Sequence, residues 1–232
     1  MTVESILAPS LAGVPHGFLG RRGGVSAGEV AGLNVGYGSQ DERASIDENR
    51  RRAVAAVAQG AELVTLHQVH SAEVVYATTA WPLDARPHAD AVVTDRPGLL
   101  LGILTADCAP VLLADRSAGV IGAAHAGWRG ALTGVTDAVI AAMEQLGARR
   151  EKIAAAVGPC IAQPSYEVDA AFRERFLEAD ETSGMFFSAG TDGKPHFDLP
   201  GYVLDRLRRA GVAAEALGLD TYTDPERFYS FR

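Results

Sequence analysis

The chain has 232 residues, of which 47% are hydrophobic, and a formal net charge of −8 at pH 7. That length is ample for a core without disulfides, and the acidic balance argues against nucleic acid or an anionic membrane as the main partner. Residues 1–15 lack a charged region followed by a sustained apolar stretch, so no signal peptide is expected. Only two cysteines occur, Cys108 and Cys160, which favours a reducing, cytoplasmic setting with free thiols or metal ligands.

The first hundred residues combine an irregular segment, one helix and short strands. Residues 18–38 contain seven glycines, a density that predicts turns and close backbone approaches. Apolar residues at helical spacing predict a helix over 45–60. Residues 63–76 have the composition of a strand, interrupted near His70, and two further buried strands are predicted over 91–94 and 99–105.

A β-hairpin is predicted next, with strands over 111–115 and 120–125 and a turn over 116–119. If Asp115 pairs with Val120, then His125 lies opposite Pro110, and Cys108 is two residues further along on the same face. The thiol and the imidazole would then converge at the open mouth of the hairpin. Such a pair suits either a transition metal or a Cys/His catalytic pair.

The remaining residues alternate helices and strands less regularly. Apolar spacing predicts a helix over 130–146, a strand over 153–158, an irregular excursion over 182–194, and helices over 168–179 and 202–210. Because there is no strict βαβ rhythm, we predict an α+β fold class. The expected architecture is a single domain over 1–232, a mixed β-sheet sandwich with flanking helices, rather than a doubly wound parallel sheet.

Arg129 is a candidate for binding an anion. It stands where the strand that ends at His125 turns, through Gly127, into the predicted helix, and a helix N-terminus with a nearby guanidinium attracts negative charge. An ordinary turn with a surface arginine explains the same residues. The loop over 23–26, which follows Arg21, is a weaker candidate for a second phosphate-binding loop.

Several motifs occur together in this chain: Gln68-Val-His70, Thr105-Ala-Asp-Cys108, Ala124-His-Ala-Gly-Trp-Arg-Gly130, Gly158-Pro-Cys-Ile161, Ser165-Tyr-Glu-Val168, and, nearer the N-terminus, Arg21-Arg-Gly-Gly-Val-Ser26, Leu33-Asn34 and Glu48-Asn-Arg50. In this order they resemble the YfiH/YlmD family, whose members were once called polyphenol oxidases or laccase-domain proteins. The resemblance covers almost the whole chain. It departs from the family at Tyr222-Thr223, where relatives usually carry Cys-Thr, and relatives often continue past the position of Arg232.

The resemblance implies a YfiH-like fold and a metal site on His70, Cys108 and His125. The metal is usually zinc (Zn²⁺), with copper (Cu²⁺) as the alternative. The implied activity is that of a purine nucleoside phosphorylase on adenosine, inosine and S-methyl-5′-thioadenosine, with adenosine deaminase activity beside it. The partners would be a purine nucleoside and phosphate, without nucleic acid or membrane, and the chain would be a monomer or homodimer.

The chemistry suggests roles for further residues. Two histidines and one cysteine leave a tetrahedral position open, as in catalytic zinc sites that generate hydroxide near neutral pH. Asp107 and Glu167 are the candidate carboxylates for proton transfer. Arg129 is the third catalytic candidate and, together with Arg21 and Asn34, a candidate contact for phosphate or substrate. Cys160 is expected to be a packing residue.

Three other functions remain open at this point. A copper polyphenol oxidase would use the same three ligands, but a full multicopper enzyme needs more histidines than the six present. A cysteine hydrolase would use Cys108 as nucleophile and His125 as base. A non-enzymatic metal-binding module would explain the ligand cluster but not Arg129.

Overall fold

A computed structural model describes residues 2–232 of the chain. Within these residues the strands are β1 Ser5–Ile6, β2 Phe18–Leu19, β3 Glu62–Thr65, β4 Val74–Tyr76, β5 Ala91–Thr94, β6 Leu99–Gly102, β7 Ala109–Asp115, β8 Val120–Ala126, β9 Ala154–Val157, β10 Phe187–Ser188, β11 His196–Phe197 and β12 Ala213–Ala216. The α-helices are α1 Arg43–Val57, α2 Trp128–Thr133, α3 Val135–Gln145, α4 Ala170–Ala179 and α5 Leu199–Arg209. None of these helices is long and apolar enough to cross a bilayer.

The centre of the fold is a six-stranded mixed sheet with the order β12-β9-β7-β8-β5-β4. Its inner pairs are antiparallel, whereas β12 with β9 and β4 with β5 pair in parallel at the two edges. A separate parallel pair joins β3 to β6. The predicted α+β class with a mixed sheet and flanking helices is therefore confirmed.

Residue alternation along the central strands supplies a core on each face of the sheet. On one face Val93 and Ala124 pack with Val139 and Met143 of α3. On the other face Val92 and Ala123 belong to a second apolar cluster, in which the β3–β6 pair takes part. Side chains of consecutive strand residues point to opposite faces of the sheet. The apolar residues of β5 and β8 therefore contribute to both cores.

The predicted hairpin register is confirmed. Asp115 is paired with Val120 and Pro110 with His125. The turn is closed by Asp115, which is fully buried. One carboxylate oxygen accepts hydrogen bonds from the amides of Ser117 and Ala118 and from the Ser117 hydroxyl, as in an Asx turn. This turn holds the two strands in the register on which the geometry at the hairpin mouth depends.

Asp115 leads to a prediction about acid stability. Burial alone raises the pKa of Asp115, but hydrogen bonds from Ser117, Arg149 and Ala118 lower it to about 2, against an ordinary 3.8. A carboxyl whose pKa is lower in the folded state stabilises the fold above its ordinary pKa and loses that contribution as the pH falls. Asp115→Asn should therefore reduce the free energy of unfolding by about 1–3 kcal/mol at neutral pH.

The difference between the wild-type protein and Asp115→Asn should shrink as the pH falls from about 4 to about 2, because the wild-type carboxylate is protonated over that range. Urea unfolding of both proteins at neutral and at acidic pH measures this difference in the free energy of unfolding. A difference that stays constant across this range would contradict the assigned role of the carboxylate.

The prediction of one continuous helix over 130–146 is wrong. The structure has two helices here, α2 and α3, separated at Gly134, whose φ of 94° lies in the left-handed region. Glycine adopts that conformation without the steric penalty other residues incur, so the chain turns where the apolar spacing alone indicated one long helix. The other helices begin within a few residues of the predicted positions.

The predicted interruption near His70 is confirmed, and one strand was missed. Residues 63–76 contain two strands in different sheets, β3 and β4, and His70 between them has a left-handed φ of 61°. The strand β12 was not predicted, since its sequence Ala-Ala-Glu-Ala carries no alternating pattern. It is added by parallel pairing to β9, a long-range contact that local sequence does not encode.

Candidate metal centre

Three side chains with metal-ligating atoms meet where the β7–β8 hairpin opens. His70 lies in the loop between β3 and β4, Cys108 immediately precedes β7, and His125 is near the end of β8. Their ligand atoms all lie within 4.8 Å of one another. The two imidazole rings meet edge to face with centroids 4.7 Å apart, and Cys108 Sγ is 4.0 Å from His70 Nε2. The hairpin brings Cys108 to His125, and the loop between β3 and β4 adds His70, which is 55 positions before His125 in sequence.

A buried carboxylate orients one of the two imidazoles. Asp90 is fully buried, and its Oδ1 accepts a hydrogen bond of 2.8 Å from His125 Nδ1. Burial alone raises the pKa of Asp90, but the hydrogen bonds from His125, Ser71 and Val69 lower it overall, so the group is ionised at neutral pH. Because a carboxylate only accepts hydrogen bonds, Nδ1 carries the proton and the lone pair of His125 Nε2 stays free for a metal.

The space around the cluster depends on a glycine. A Cβ atom on Gly127 would lie 2.9 Å from His70 Cδ2 and 3.0 Å from Cys108 Sγ, both tighter than ordinary van der Waals contact. Two imidazole nitrogens and one thiolate sulfur are the donors that zinc and copper prefer, whereas calcium and magnesium prefer oxygen. The donor set and the glycine beside it therefore fit a transition metal.

The electrostatic environment differs between the ligands. Burial, together with the positive potential from His125 and Arg129, lowers the pKa of His70, so its imidazole is neutral at neutral pH. Burial and the nearby carboxylates of Asp107 and Asp90 raise the pKa of Cys108 to about 11. Without a bound cation the thiol is therefore protonated, and a metal that binds must displace that proton.

Asp107, a predicted proton carrier, is placed by the structure as an anchor. Its φ of 78° is left-handed, a conformation that non-glycine residues adopt only when their surroundings hold them. Both carboxylate oxygens accept hydrogen bonds, from Thr221 Oγ1 at 2.8 Å, Ser230 Oγ at 3.0 Å and the Phe231 amide at 2.6 Å. These bonds fix the last residues of the chain beside Cys108. The carboxylate is thereby engaged in structure and is not the free base that was expected.

Arg129 is exposed on α2, with its guanidinium 5.1 Å from the centroid of the Trp128 ring. Its charge is one of the influences that lower the pKa of His70, which places it within electrostatic range of the cluster. The helix begins at Trp128 and not at Gly130 as predicted, so Arg129 lies within the first turn of the six-residue α2. The guanidinium is the charged group that this turn presents to an anion.

Glu167 lies at the protein surface next to a tyrosine that the sequence analysis did not single out. Its carboxylate accepts a hydrogen bond of 3.1 Å from Lys194. Burial raises the pKa of Tyr166 to about 12, and Cys108 contributes to that shift, so the phenol lies within electrostatic range of the cluster. The guanidinium of Arg232 lies 5.1 Å from the Tyr166 ring centroid. Tyr166 belongs to the motif Ser165-Tyr-Glu-Val168, which is the sequence signal that could have identified it.

Arg21 and Asn34 are engaged in holding the glycine-rich segment together. Arg21 donates through Nε and Nη2 to the Ala31 carbonyl, at 3.1 and 3.0 Å, and through Nη1 to the Pro225 carbonyl at 2.9 Å. Asn34 Nδ2 donates to Ser39 Oγ and Asp41 Oδ2, both at 2.8 Å. These polar groups are thus paired within the protein, and the structure does not present them as free phosphate contacts.

The remaining cysteine and the departure at residue 222 lie outside the cluster. Cys160 is buried in the main apolar core, and burial raises its pKa, so it is a packing residue as expected. Tyr222 is 48% exposed. Neither residue is among the three whose ligand atoms converge.

Comparisons with known proteins agree with this geometry. Residues 15–232 match the family model described as multi-copper polyphenol oxidoreductase laccase. The purine nucleoside phosphorylase of Deinococcus radiodurans is 43% identical over 235 residues, which cover 97% of this chain and 85% of the relative. The purine nucleoside phosphorylase YfiH of Escherichia coli is 37% identical over 215 residues, covering 91% and 85% respectively.

Solved structures extend the agreement to the fold. Protein NMB0706 of Neisseria meningitidis, of family DUF152, has a TM-score of 0.90 at 32% identity, covering 100% of this chain and 93% of the other. YlmD from Geobacillus stearothermophilus has a TM-score of 0.85 at 28% identity, covering 96% and 87%. The arrangement of strands and helices around the cluster is therefore shared with these proteins.

Proposed function

The chain belongs to the family described as multi-copper polyphenol oxidoreductase laccase, and from that premise we propose that it is a zinc-dependent purine nucleoside phosphorylase. Its substrates are adenosine, inosine and S-methyl-5′-thioadenosine together with phosphate, and it deaminates adenosine as a second activity. Relatives that are 43% and 37% identical carry the name purine nucleoside phosphorylase, which supports this reaction class.

The observation that carries the proposal is the convergence of His70, Cys108 and His125 within 4.8 Å. Three protein ligands of this kind leave one position open, which is typical of catalytic zinc and not of structural zinc. When bound, the metal would supply a Lewis acid that polarises substrate atoms. The oriented His125 ring and the space beside Gly127 support a site organised for that ion.

Phosphorolysis exchanges the purine for phosphate on the ribose. A phosphate oxygen forms a bond to C1′ while the C1′–N9 bond breaks, the electron pair of that bond goes to the purine, and the departing base takes up a proton. The products are a free purine and the 1-phosphate of the sugar, which is ribose 1-phosphate from adenosine and inosine and 5-methylthioribose 1-phosphate from S-methyl-5′-thioadenosine. Deamination instead replaces the 6-amino group of adenosine by oxygen from water and releases ammonia, so it needs no phosphate.

The protein residues then take separate roles. Arg129 holds phosphate through its exposed guanidinium, and Glu167, whose partly exposed carboxylate is paired with Lys194, is the proton carrier. Asp107 holds the C-terminal segment beside Cys108. Arg21 and Asn34 shape the glycine-rich segment and act on substrate only through it.

A copper polyphenol oxidase is less well supported. Within residues 2–232, His70, Cys108 and His125 are the only group of three or more potential ligands that converges. His16 is hydrogen-bonded to the backbone at both ring nitrogens, and His67 stacks on His88 with centroids 4.3 Å apart. A trinuclear copper cluster would need further converging histidines.

A cysteine hydrolase is also less well supported. The Asp90–His125 pair resembles the orienting pair of a catalytic triad, but the pKa of Cys108 is raised to about 11, the opposite of what an activated nucleophile needs. A non-enzymatic metal-binding module would hold the metal without turnover. Turnover of a nucleoside by the purified protein excludes that module, and slow alkylation of metal-free Cys108 by iodoacetamide at neutral pH argues against the hydrolase.

The function is tested by incubating the purified protein with each nucleoside, with and without phosphate, and separating the products by chromatography. Phosphate-dependent release of the base is expected from all three substrates, together with ribose 1-phosphate from adenosine and inosine and 5-methylthioribose 1-phosphate from S-methyl-5′-thioadenosine. Conversion of adenosine to inosine is expected without phosphate. Absence of both reactions in a zinc-loaded protein would refute the proposal.

Arg129→Ala is expected to weaken the use of phosphate about ten- to a hundredfold, because a charge-assisted hydrogen bond contributes about 1.5–3 kcal/mol. Zinc content should not change, since arginine is not a ligand. Deamination should suffer less than phosphorolysis. The measurement is the rate of both reactions on adenosine across a phosphate titration.

The matched control is Arg175→Ala, which removes the other guanidinium near the Trp128 ring, 5.8 Å from its centroid. Its charge is not among those that affect the pKa of His70, so the loss of phosphate use should be smaller. Equal losses in both reactions of Arg129→Ala, with an unaltered phosphate dependence, would show that Arg129 has only a structural role.

A further inference from the structure

The carboxylate of Asp90 has a second set of contacts beyond the one to His125. Its Oδ2 accepts hydrogen bonds from the Val69 amide at 3.0 Å, the Ser71 amide at 2.6 Å and the Ser71 hydroxyl at 2.9 Å. Val69 and Ser71 are the two neighbours of His70. One fully buried side chain therefore contacts one histidine ligand directly and the backbone on both sides of the other.

These contacts explain how the loop holds His70. The φ of 61° at His70 is sparsely populated for a residue with a Cβ, so the loop needs bonds that fix it. The Val69 amide, in the Gln68–Val69 peptide, and the Ser71 amide, in the His70–Ser71 peptide, converge on a single oxygen, which fixes the backbone on both sides of His70. The ring of His70 is thereby directed toward Cys108.

The connection to His125 is made through both the main chain and the side chain of Asp90. The His125 amide donates to the Asp90 carbonyl at 2.7 Å, and His125 Nδ1 donates to Asp90 Oδ1 at 2.8 Å. A carboxylate with two accepting oxygens is the group that serves both sets of donors at once.

We infer that Asp90 is a positioning residue that couples the two histidine ligands, setting the tautomer of His125 and the backbone of His70 together and so determining metal affinity. This rests on the proposed metal site. Asp90 acts through the two histidines and does not itself contact metal or substrate.

The decisive variant is Asp90→Asn, which keeps the shape but has one accepting oxygen and one donating NH₂ group. If the NH₂ group faces His125, Nδ1 must accept, and the proton moves to Nε2, the nitrogen needed by the metal. If it faces the loop, it opposes the two amides that flank His70. In either orientation one histidine is placed wrongly.

We expect Asp90→Asn to weaken zinc binding about 10–100-fold, the range found when outer partners of metal ligands are removed. The affinity is measured by competition with a chromophoric chelator on metal-free protein titrated with zinc. Ser71→Ala is the matched variant: it removes one of the three bonds to Oδ2 and leaves the bond to His125, so the loss should be at most about threefold. An Asp90→Asn protein that binds zinc within about twofold of wild type would overturn the inference.

A second measurement needs no variant and so does not depend on Asp90→Asn folding. Nitrogen-15 NMR of the imidazole of His125 in the metal-free wild-type protein should show the proton on Nδ1. A proton on Nε2 would overturn the inference. If instead Cys108→Ala kept full zinc affinity, the metal site itself would be wrong, and this outcome is distinct from a failure of the role of Asp90 alone.

Discussion

Replacing Cys108 with alanine is expected to weaken zinc binding at least about a hundredfold, because loss of an outer partner alone already weakens it about 10–100-fold. Cys108 supplies the single sulfur among the three converging ligands, and two histidines remain without it. Phosphorolysis and deamination should both be lost. Elemental analysis of the purified variant, with wild type at about one zinc per chain, measures the effect directly.

The control is Cys160→Ala. Cys160 is buried in the main core and lies outside the ligand cluster, so its removal should reduce stability while zinc content and activity stay at wild-type levels. A Cys108→Ala protein that retains one tightly bound zinc would contradict the ligand assignment. Loss of zinc from Cys160→Ala but not from Cys108→Ala would move the site to the other cysteine.

Gly127→Ala should have the next largest effect. The added methyl group would overlap both His70 and Cys108, at 2.9 and 3.0 Å, and must displace at least one of them. A displacement of about 1 Å in a catalytic arrangement can reduce the rate about a hundredfold. We expect zinc affinity to fall about tenfold or more, comparable with the loss of an outer-shell contact, and phosphorolysis to fall further.

Gly122→Ala is the control for Gly127→Ala, because it adds a methyl group in the apolar core and not beside the metal ligands. A Cβ at Gly122 would lie 3.0 Å from Met143 Sδ and 3.1 Å from Val139 Cγ2, where α3 packs on β8. Overpacking of this kind destabilises by about 1–3 kcal/mol, and the metal should bind normally. Thermal unfolding and chelator competition on both variants distinguish the two cases. Equal zinc affinity in the two proteins would mean that the space left by Gly127 is not needed by the metal site.

The hairpin was predictable because its determinants are local. Strand residues alternate between faces, and one pairing, that of Asp115 with Val120, determines every other pair in the hairpin. The approach of Cys108 to His125 followed from that register. The position of His70 did not, since it depends on a left-handed backbone conformation held by bonds to Asp90, which is 20 residues away along the sequence.

Asp90 itself carried no sequence signal beyond an acidic residue before a buried strand. Its importance comes from burial and from donors on two segments far apart in sequence, the loop around His70 and strand β8, and such convergence is a tertiary property. The same reason explains why Asp107, Arg21 and Asn34 were given roles at the substrate. Their chemistry suited those roles, but the folded chain uses their polar groups to hold loops and the C-terminal segment.

The helix predicted over 130–146 shows what local sequence patterns fail to predict about a helix boundary. Apolar spacing continued through Gly134 and predicted one helix, but the left-handed conformation of that glycine divides it. Anion binding was predicted from a helix N-terminus at Gly130 together with the charge of Arg129, and the structure begins that helix at Trp128. The charge of Arg129 does not depend on where the helix begins or ends.

The most direct test of the proposed function is the cleavage of inosine by metal-free protein to which zinc or copper is returned, with and without phosphate. Hypoxanthine and ribose 1-phosphate are expected in equal amounts, and only when zinc and phosphate are both present. Undiminished cleavage by the metal-free protein, or release of hypoxanthine that is independent of phosphate, would contradict the proposed function.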